Sequence, residues 1–587
     1  MKTSAPRTIV AATLALAAGA AFAADPTVRS RVVALTGTAA PGLATTLFGG
    51  VSGLCLAPAG GGVAVAFTAT LSGTGVTAAD DGSIWTDRSG ALVLAYREGN
   101  AAPGIDGGVF EGLPIVGMNE DALLAFGAAV VTTTPWIPTN IALFAETTPG
   151  VLALAVRETP GTFFTPGIPA IVGVYSLSTL LPFGDDAVAA WTIGAPTGSN
   201  PPNVPASLTR SDGVAYDLAT PVPDAPAASQ FQRYGEPVPH GPGGFAFRGA
   251  HSIPTGTPPS GAKQPRRFGI YSDFTGPLVS LALTEAQVLG APAGQTWRDL
   301  SKEPAPLPDG SVVFWARVAQ LGIPADLDSR LVRAAADGAI TFLAASGDPA
   351  PGILGATLAS FDHRLGVDDA GNVAFLAFLG GAPVGQNAAI YMGATGTPGV
   401  APILVARRGG RALGLPAGAT LHTLGTPRLG DPGLVTPGLI AFTATIAGPG
   451  VTPASSSVLL AGRADLVAPR VVLRTGDAFA TPAGTKTIRQ ISFDHDRAGR
   501  AQLAGNALAA TLLFTDGAQA IVTLTVGCST DIDGDGDEGT DADIEAFFAA
   551  LAGTPCAACT TDIDADGGEG TDADIETLFR LIAGGAC

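Results

Sequence analysis

The sequence predicts an all-β, turn-rich chain, a β-propeller of about eight four-stranded blades, followed by a small α-helical module at the C-terminus. Three observations predict it. With 79 glycines and 47 prolines in 587 residues, the backbone is punctuated too often for long helices. Hydrophobic residues make up 47% and charged residues only 14%, a balance that favours burial over disorder. A period of about 62 residues then runs through most of the chain, which is too long for one compact core.

The N-terminus reads as an export signal. Lys2 and Arg7 precede an apolar run from Thr8 to Ala18, and Ala21-Phe22-Ala23 supplies a small-residue cleavage site before Asp25-Pro26. Residues 1–23 are therefore expected to be removed. No later stretch reaches the roughly eighteen uninterrupted apolar residues that span a bilayer, because Gly, Pro and Asp interrupt each one. The expectation is a secreted protein without a transmembrane segment after signal removal, extracellular or at the cell surface, with the periplasm as the alternative. Such compartments permit disulfides.

Residues 24–526 carry the repeat. GTAAPG begins at Gly37, GNAAPG at Gly99 and GDPAPG at Gly347, offsets of 62 and 248. A second marker ends in a small residue and an aromatic one, as in Asn119 to Phe126 and Asp368 to Phe375, with weaker copies ending at Phe67, Trp191, Phe247, Phe314, Phe442 and Leu503. In the second unit the apolar runs are Ala91–Arg97, Leu113–Met118, Ala122–Val131 and Asn140–Ala145, and Gly, Pro and Asn separate them. Four short antiparallel strands, radially repeated, suit a propeller blade, and a linear β-solenoid is the alternative. The aromatic markers are placed on the third strand and assigned to the core between blades. Ala520 to Val526 is left over after the eighth unit and is expected to close the ring on the first blade.

The element from Asp368 to Phe375 resembles the tandem NxxGxxAF repeat proteins of exported bacterial chains, which carry interchangeable C-terminal anchoring modules in planctomycete-like bacteria. The resemblance covers about residues 31–526 and implies a secreted repeat domain. It brings no catalytic residues.

Residues 527–587 differ sharply. The formal net charge is −19, and residues 528–587 hold fifteen Asp and Glu against Arg580 alone. The remainder is nearly balanced, so no basic face is available for phosphates, and nucleic-acid binding is disfavoured. Residues 528–556 and 559–587 form a 31-residue tandem repeat. Asp531, Asp533 and Asp535, and again Asp562, Asp564 and Asp566, occupy alternate positions before Gly536 and Gly567. Hard Ca²⁺ takes six to eight oxygens, and such a tight acidic loop can wrap it. Ile544, Phe547, Phe548 and Leu551 then fall on one helical face, as do Ile575, Leu578, Phe579 and Ile582.

Two such copies resemble a dockerin, the duplicated calcium-loaded module that plugs into cohesin domains of polysaccharide-degrading complexes. The resemblance implies two Ca²⁺ ions, with backbone oxygens from Asp537 and Gly568 among the ligands. The usual closing position holds Ala542 or Ala573. A loop one residue longer makes Asp543 and Asp574 the closing ligands, with Asp541 and Asp572 as the alternatives. The near-identical copies imply that a cohesin-like or cell-surface partner can dock through Thr540-Asp541 or Thr571-Asp572. Cys528 and Cys556 bracket the first copy, and Cys559 and Cys587 the second; pairing within copies is the simplest of three connectivities. Cys55, alone in an apolar run, reads as a buried thiol.

No metalloprotease, nucleophile-elbow, P-loop or dinucleotide fingerprint occurs. Asp362-His363 and Asp494-His495 are adjacent pairs, and neighbours on a strand point to opposite faces, so polar strand ends are the simpler reading. Two functions follow. The first is a non-catalytic binding scaffold attached by its tail; the second is a polysaccharide hydrolase or lyase with carboxylates in the propeller channel. Carbohydrate is a candidate ligand, and the first reading leaves the ligand open.

Overall fold

The computed structural model describes residues 28–59, 62–119, 121–132, 140–158, 170–171, 208–209, 215–216, 220–227, 229–235, 238–240, 244–252, 266–274, 276–319, 329–394, 401–430, 439–463, 469–493, 502–505, 507–526, 532, 540–552 and 570–582. Among these the chain is almost entirely β, in eight sheets whose neighbouring strands are antiparallel almost throughout. Sheet six shows the plan: Thr357–Val367, Asn372–Gly380, Ala388–Ala394 and Ile403–Arg407 follow one another in space as they do in sequence. Sheets one, two, four, five and seven repeat this order, and sheet three is represented by Leu208–Thr209 paired with Ala215–Tyr216. Sheet eight is completed from the other end of the chain, since Val28–Leu35 pairs with Gln519–Val526 as its fourth strand.

Two expectations are corrected here. Ala520–Val526 does not join the first sheet; Val28–Leu35 joins the last. The repeat is also shifted by one strand. Val93–Arg97, expected to open the second unit, pairs with Gly82–Thr86 and ends the first sheet. Phe67, Phe126, Phe247, Phe314, Phe375 and Phe442 consequently lie on the second strand of their sheets rather than the third, and Leu503 lies on the short strand Leu503–Ala504 beside the second strand of sheet eight. A run of alternating apolar residues pairs equally well with the strand before or after it, so pairing is decided by burial across the whole sheet.

Both edges of the sheets are bulged. On the first strand, Gly49, Glu111, Gln232, Arg298, Ala359, His422 and Arg489 are each an extra residue in the register with the second strand. On the fourth strand, Ala95, Ala155, Leu281, Leu343, Val405, Val472 and Val33 are extra in the same way. A bulge increases twist and breaks the ladder, which keeps an exposed edge from pairing with another chain.

The hydrophobic cores lie between sheets. Phe375, Ala377 and Tyr391 of sheet six pack with Val313, Trp315 and Leu331 of sheet five. Their neighbours Ala374, Leu376 and Ile390 point the other way, against Phe442 and Leu460 of sheet seven. This is the period-two alternation of a strand buried on both faces. One such layer joins the last sheet to the first, where Ala34, Ala509 and Ile521 meet Phe67 and Trp85.

In four sheets the first three strands each place one ring in the layer: Phe48, Phe67 and Trp85; Phe110, Phe126 and Phe144; Phe231, Phe247 and Tyr271; Phe361, Phe375 and Tyr391. Their centroids are 5.0–6.3 Å apart. The markers Phe67, Phe126, Phe247, Phe314, Phe375, Phe442 and Leu503 are all buried, as expected; Trp191 lies outside the described residues. Cys55 is buried too, its thiol 3.6 Å from the Ala66 carbonyl oxygen.

The GxxAPG turn connects one sheet to the next. Gly37, Gly99, Gly347, Gly409 and Gly476 hold φ between 77 and 92° and donate their N–H to the first-strand carbonyls of Phe48, Phe110, Leu358, Leu421 and Ile488. The backbone there is left-handed, which glycine alone adopts without steric cost. Sheet five begins with a different residue: Glu285 has φ 68° and donates to Trp297 in the same way. Holding an L-residue there costs about 1–2 kcal/mol. Its ion pair with the half-buried Arg267 leaves the carboxylate exposed and returns at most about 1 kcal/mol.

Candidate functional site

Three carboxylates repeat at the end of the third strand. Asp87 accepts from Val65 N at 2.6 Å, Glu146 from Leu124 N at 2.9 Å and Asp273 from Phe245 N at 2.8 Å, each donor standing at or near the start of its second strand. Each acid also takes a side chain from the preceding sheet. Arg31 Nη2 is 2.6 Å from Asp87, and Tyr216 Oη is 3.1 Å from Asp273. Glu146 binds both Arg88 nitrogens, the Tyr96 hydroxyl at 2.6 Å and Gly150 N at 2.9 Å. These acids are latches between sheets. They were missed in the sequence, although Trp85-Thr86-Asp87, Phe144-Ala145-Glu146 and Tyr271-Ser272-Asp273 share an aromatic-x-acid pattern.

A second polar cluster is open to solvent. Phe361 pairs with Ala377 and Leu365 with Phe375, so Asp362, His363 and Arg364 stand against the single residue Leu376. This wide bulge cancels the strict alternation of faces. Asp362 accepts from Arg364 N at 3.2 Å and from Thr426 Oγ1 of sheet seven at 3.1 Å. Arg364 Nε lies 3.5 Å from a Glu303 carboxylate oxygen in sheet five. The exposed His363 ring sits 4.0 Å, centroid to centroid, from Trp315, which is only 5% exposed. The Trp315 Nε1–H is buried and has no hydrogen-bond partner among the described residues. Asp362 and His363 therefore do not form a dyad, because both Asp362 oxygens turn elsewhere. They bring three consecutive sheets to one polar surface with two carboxylates, a guanidinium, an imidazole and an indole.

The remaining histidines divide. His251 is 1% exposed, with Nδ1 2.9 Å from the Tyr271 hydroxyl. Burial, helped by Arg267, pushes its pKa down to about 4, and burial pushes the Tyr271 hydroxyl well above the usual phenol range. His422 is the exposed bulge residue of sheet seven. Asp494 and His495 lie outside the described residues.

With this geometry in place, comparison decides the family. The chain belongs to DUF7453, a family of unknown function, whose model matches residues 14–162 and 210–493. The DUF7453 match thus covers most of the sheets. No curated protein matches the chain. Among solved structures it is similar to the α-L-arabinofuranosidase Arb93A from Fusarium graminearum in complex with an iminosugar inhibitor, at 8% identity over 85% of this chain and 98% of that one, with TM-score 0.26. It is similar to Trypanosoma rangeli sialidase in complex with sialic acid at 7% identity over 86% of this chain and 59% of that one, with TM-score 0.25. The tricorn protease matches at 9% identity over 79% of this chain and 47% of that one, with TM-score 0.23. Identities and scores this low assign no residue a role.

The tail forms the two expected helices, α1 over Asp541–Leu551 and α2 over Asp572–Ile582. Thr540 and Asp543 make a reciprocal capping box, with Thr540 N and Oγ1 donating to Asp543 Oδ2 at 2.8 and 2.9 Å. Thr571 and Asp574 repeat it at 2.7 and 2.8 Å. Each cap satisfies helix-start N–H groups and places an acid at the positive end of the helix dipole. Asp543 Oδ1 also accepts Ile532 N, from the second position of the acidic loop. Both acids are fully buried, and Ile532, Phe547 and Leu578 form one core shared by the two copies.

Of the predicted calcium ligands, Asp543 and Asp574 are in this capped geometry. Asp531, Asp533, Asp535, Asp537, Asp562, Asp564, Asp566 and Gly568 lie outside the described residues, as do Cys528, Cys556, Cys559 and Cys587. Of the proposed docking residues, Thr540 and Thr571 cap the helices, while Asp541 and Asp572 are exposed.

Proposed function

We propose that this DUF7453 protein is a secreted binding scaffold, an eight-bladed β-propeller carrying a dockerin-like, calcium-loaded tail. The observation that carries the reading is the completion of the last sheet by the first strand, with a core layer between sheets eight and one. A ring closed this way holds in one place His363 and Arg364 on the first strand of sheet six with Glu303 and Thr426 just after the first strands of sheets five and seven. Support for the tail is the pair of buried acids, each fixed beside an acidic loop. Asp531, Asp533 and Asp535 and their copies would supply the remaining oxygens, and two Ca²⁺ would neutralise loops whose carboxylates otherwise repel. Attachment would be to a cohesin-like or cell-surface protein.

Calorimetry on the full chain tests the tail. Two Ca²⁺ per chain are expected, with one site lost in Asp531→Ala and both in the Asp531→Ala, Asp562→Ala double variant; zero stoichiometry would refute the calcium reading. A polysaccharide panel with reducing-end and unsaturated-product detection tests the ring. Binding without new ends supports the scaffold. The second reading, a polysaccharide hydrolase or lyase, is favoured by the two carboxylates flanking Arg364, and product release abolished by Glu303→Gln would establish it.

A further inference from the structure

Where sheet four passes to sheet five, a groove of ≈ 320 Å³ opens between Arg267, Phe268 and Glu285 on one side and Trp297, Arg298 and Asp299 on the other. It is separate from the Asp362–Arg364 cluster. Three features make the groove, the first and third of them its own. Glu285 occupies a left-handed position that is glycine in five sister turns, and the ion pair of its exposed carboxylate with Arg267 does not repay the strain. The fold itself does not call for a carboxylate at that rim. Arg298 stands at the exposed bulge position that the first strands share, and here that position brings a guanidinium to the groove. Asp299 is positioned from behind by Arg248, whose Nη2 is 3.4 Å from its Oδ1 and whose guanidinium lies 3.8 Å over the Phe268 ring.

The lining charges decide the class of ligand. Arg267 and Arg298 balance Glu285 and Asp299. A polyanion would meet the two carboxylates and a polycation the two guanidiniums, each unpaired in part. A neutral molecule with adjacent hydroxyls avoids both, because each hydroxyl can donate to a carboxylate while accepting from a guanidinium. The volume is at the lower end of the range for small-molecule sites, and Phe268 and Trp297 supply apolar wall.

We propose that this groove is a binding subsite for a short neutral saccharide, held by Glu285 and Asp299 as acceptors and Arg267 and Arg298 as donors. The idea rests on the scaffold reading and names its ligand class, and it can fail while that reading stands.

The test titrates the full chain with neutral tetraoses of the gluco, xylo and manno series and with a tetragalacturonate. One neutral tetraose should bind, and the acidic one should bind at least tenfold more weakly. Glu285→Gly installs the sister residue, so the variant should fold and melt no lower than the parent, yet lose tenfold or more in affinity; Asp299→Asn should lose a similar factor. Arg489→Ala, at the matching exposed bulge position of sheet eight, should leave this affinity unchanged. No neutral tetraose binding at millimolar concentration would overturn the proposal. Tighter binding of the acidic tetraose would do so too. Affinity that survives Glu285→Gly but falls in His363→Ala would move saccharide binding to the other cluster and overturn the groove alone.

Discussion

Replacing Glu146 with Leu removes the acceptor at the most connected latch. The carboxylate is fully buried and accepts from Arg88, Tyr96, Leu124 N and Gly150 N, while the Arg88 side chain is only 15% exposed. Removing one partner of such a pair leaves a buried charge without compensation, which costs about 3–5 kcal/mol. The unfolding entropy is about 2.1 cal/mol/K per residue, so roughly 500 residues melting as one unit would lose about 3–5 °C in Tm. A single sheet of about 60 residues melting alone would shift about 4–8 °C for each kcal/mol. Scanning calorimetry therefore reads both the cost and the size of the cooperative unit. The double variant Arg88→Met, Glu146→Leu should recover much of the loss, because no charge remains to be paired. The latch argument fails if Glu146→Leu costs under about 1 kcal/mol, or if the double variant loses the sum of both single losses. pH gives an independent check. Burial pushes the Glu146 carboxyl up, but hydrogen bonds from Arg88, Tyr96 and Leu124 more than offset it and hold it below the ordinary value of 4.5. Its contribution is complete above that value and is lost as pH falls through the lower folded one, a loss absent from the Leu variant.

His251 should act over a different window. Its folded pKa of about 4 lies below the ordinary 6.5, so the unfolded chain takes up a proton first and stability declines as pH falls from 6.5 towards 4. His251→Phe should remove that component of the slope in pH-dependent chemical denaturation, and an unchanged slope would show that the imidazole is not held neutral. Deleting residues 28–35 should unpair Gln519–Val526 and open the core layer between the last and first sheets. A Tm within about 1 °C of the parent would show that stability does not depend on this pairing of the chain's two ends, since burial of a single large apolar side chain is already worth about 1.5–3 kcal/mol.

What the amino-acid sequence determined by itself was local and repeated. Left-handed turns admit glycine with little strain, so Gly37, Gly99 and Gly347 marked the spacing of the units. A second strand buried on both faces needs a large side chain there, so Phe126 and Phe375 marked the core. The tail helices were legible for the same reason, because Ile544, Phe547, Phe548 and Leu551 fall on one apolar face, whereas the cap of Thr540 and Asp543 emerged only in the structure. Only the tertiary structure decided which strand each run would pair with. Val93–Arg97 carries the same alternation whether it ends one sheet or begins the next, and Val28–Leu35 shows no local sign that its partner is Gln519–Val526. The latches and the polar cluster were hidden likewise. Asp87, Glu146 and Asp273 look like ordinary strand-end acids until Arg31, Arg88 and Tyr216 arrive from the preceding sheets. Glu303, Trp315, His363 and Thr426 become neighbours only when three sheets stack. Backbone propensity acts over a few residues, whereas burial and charge pairing act between whichever surfaces the packed sheets bring together.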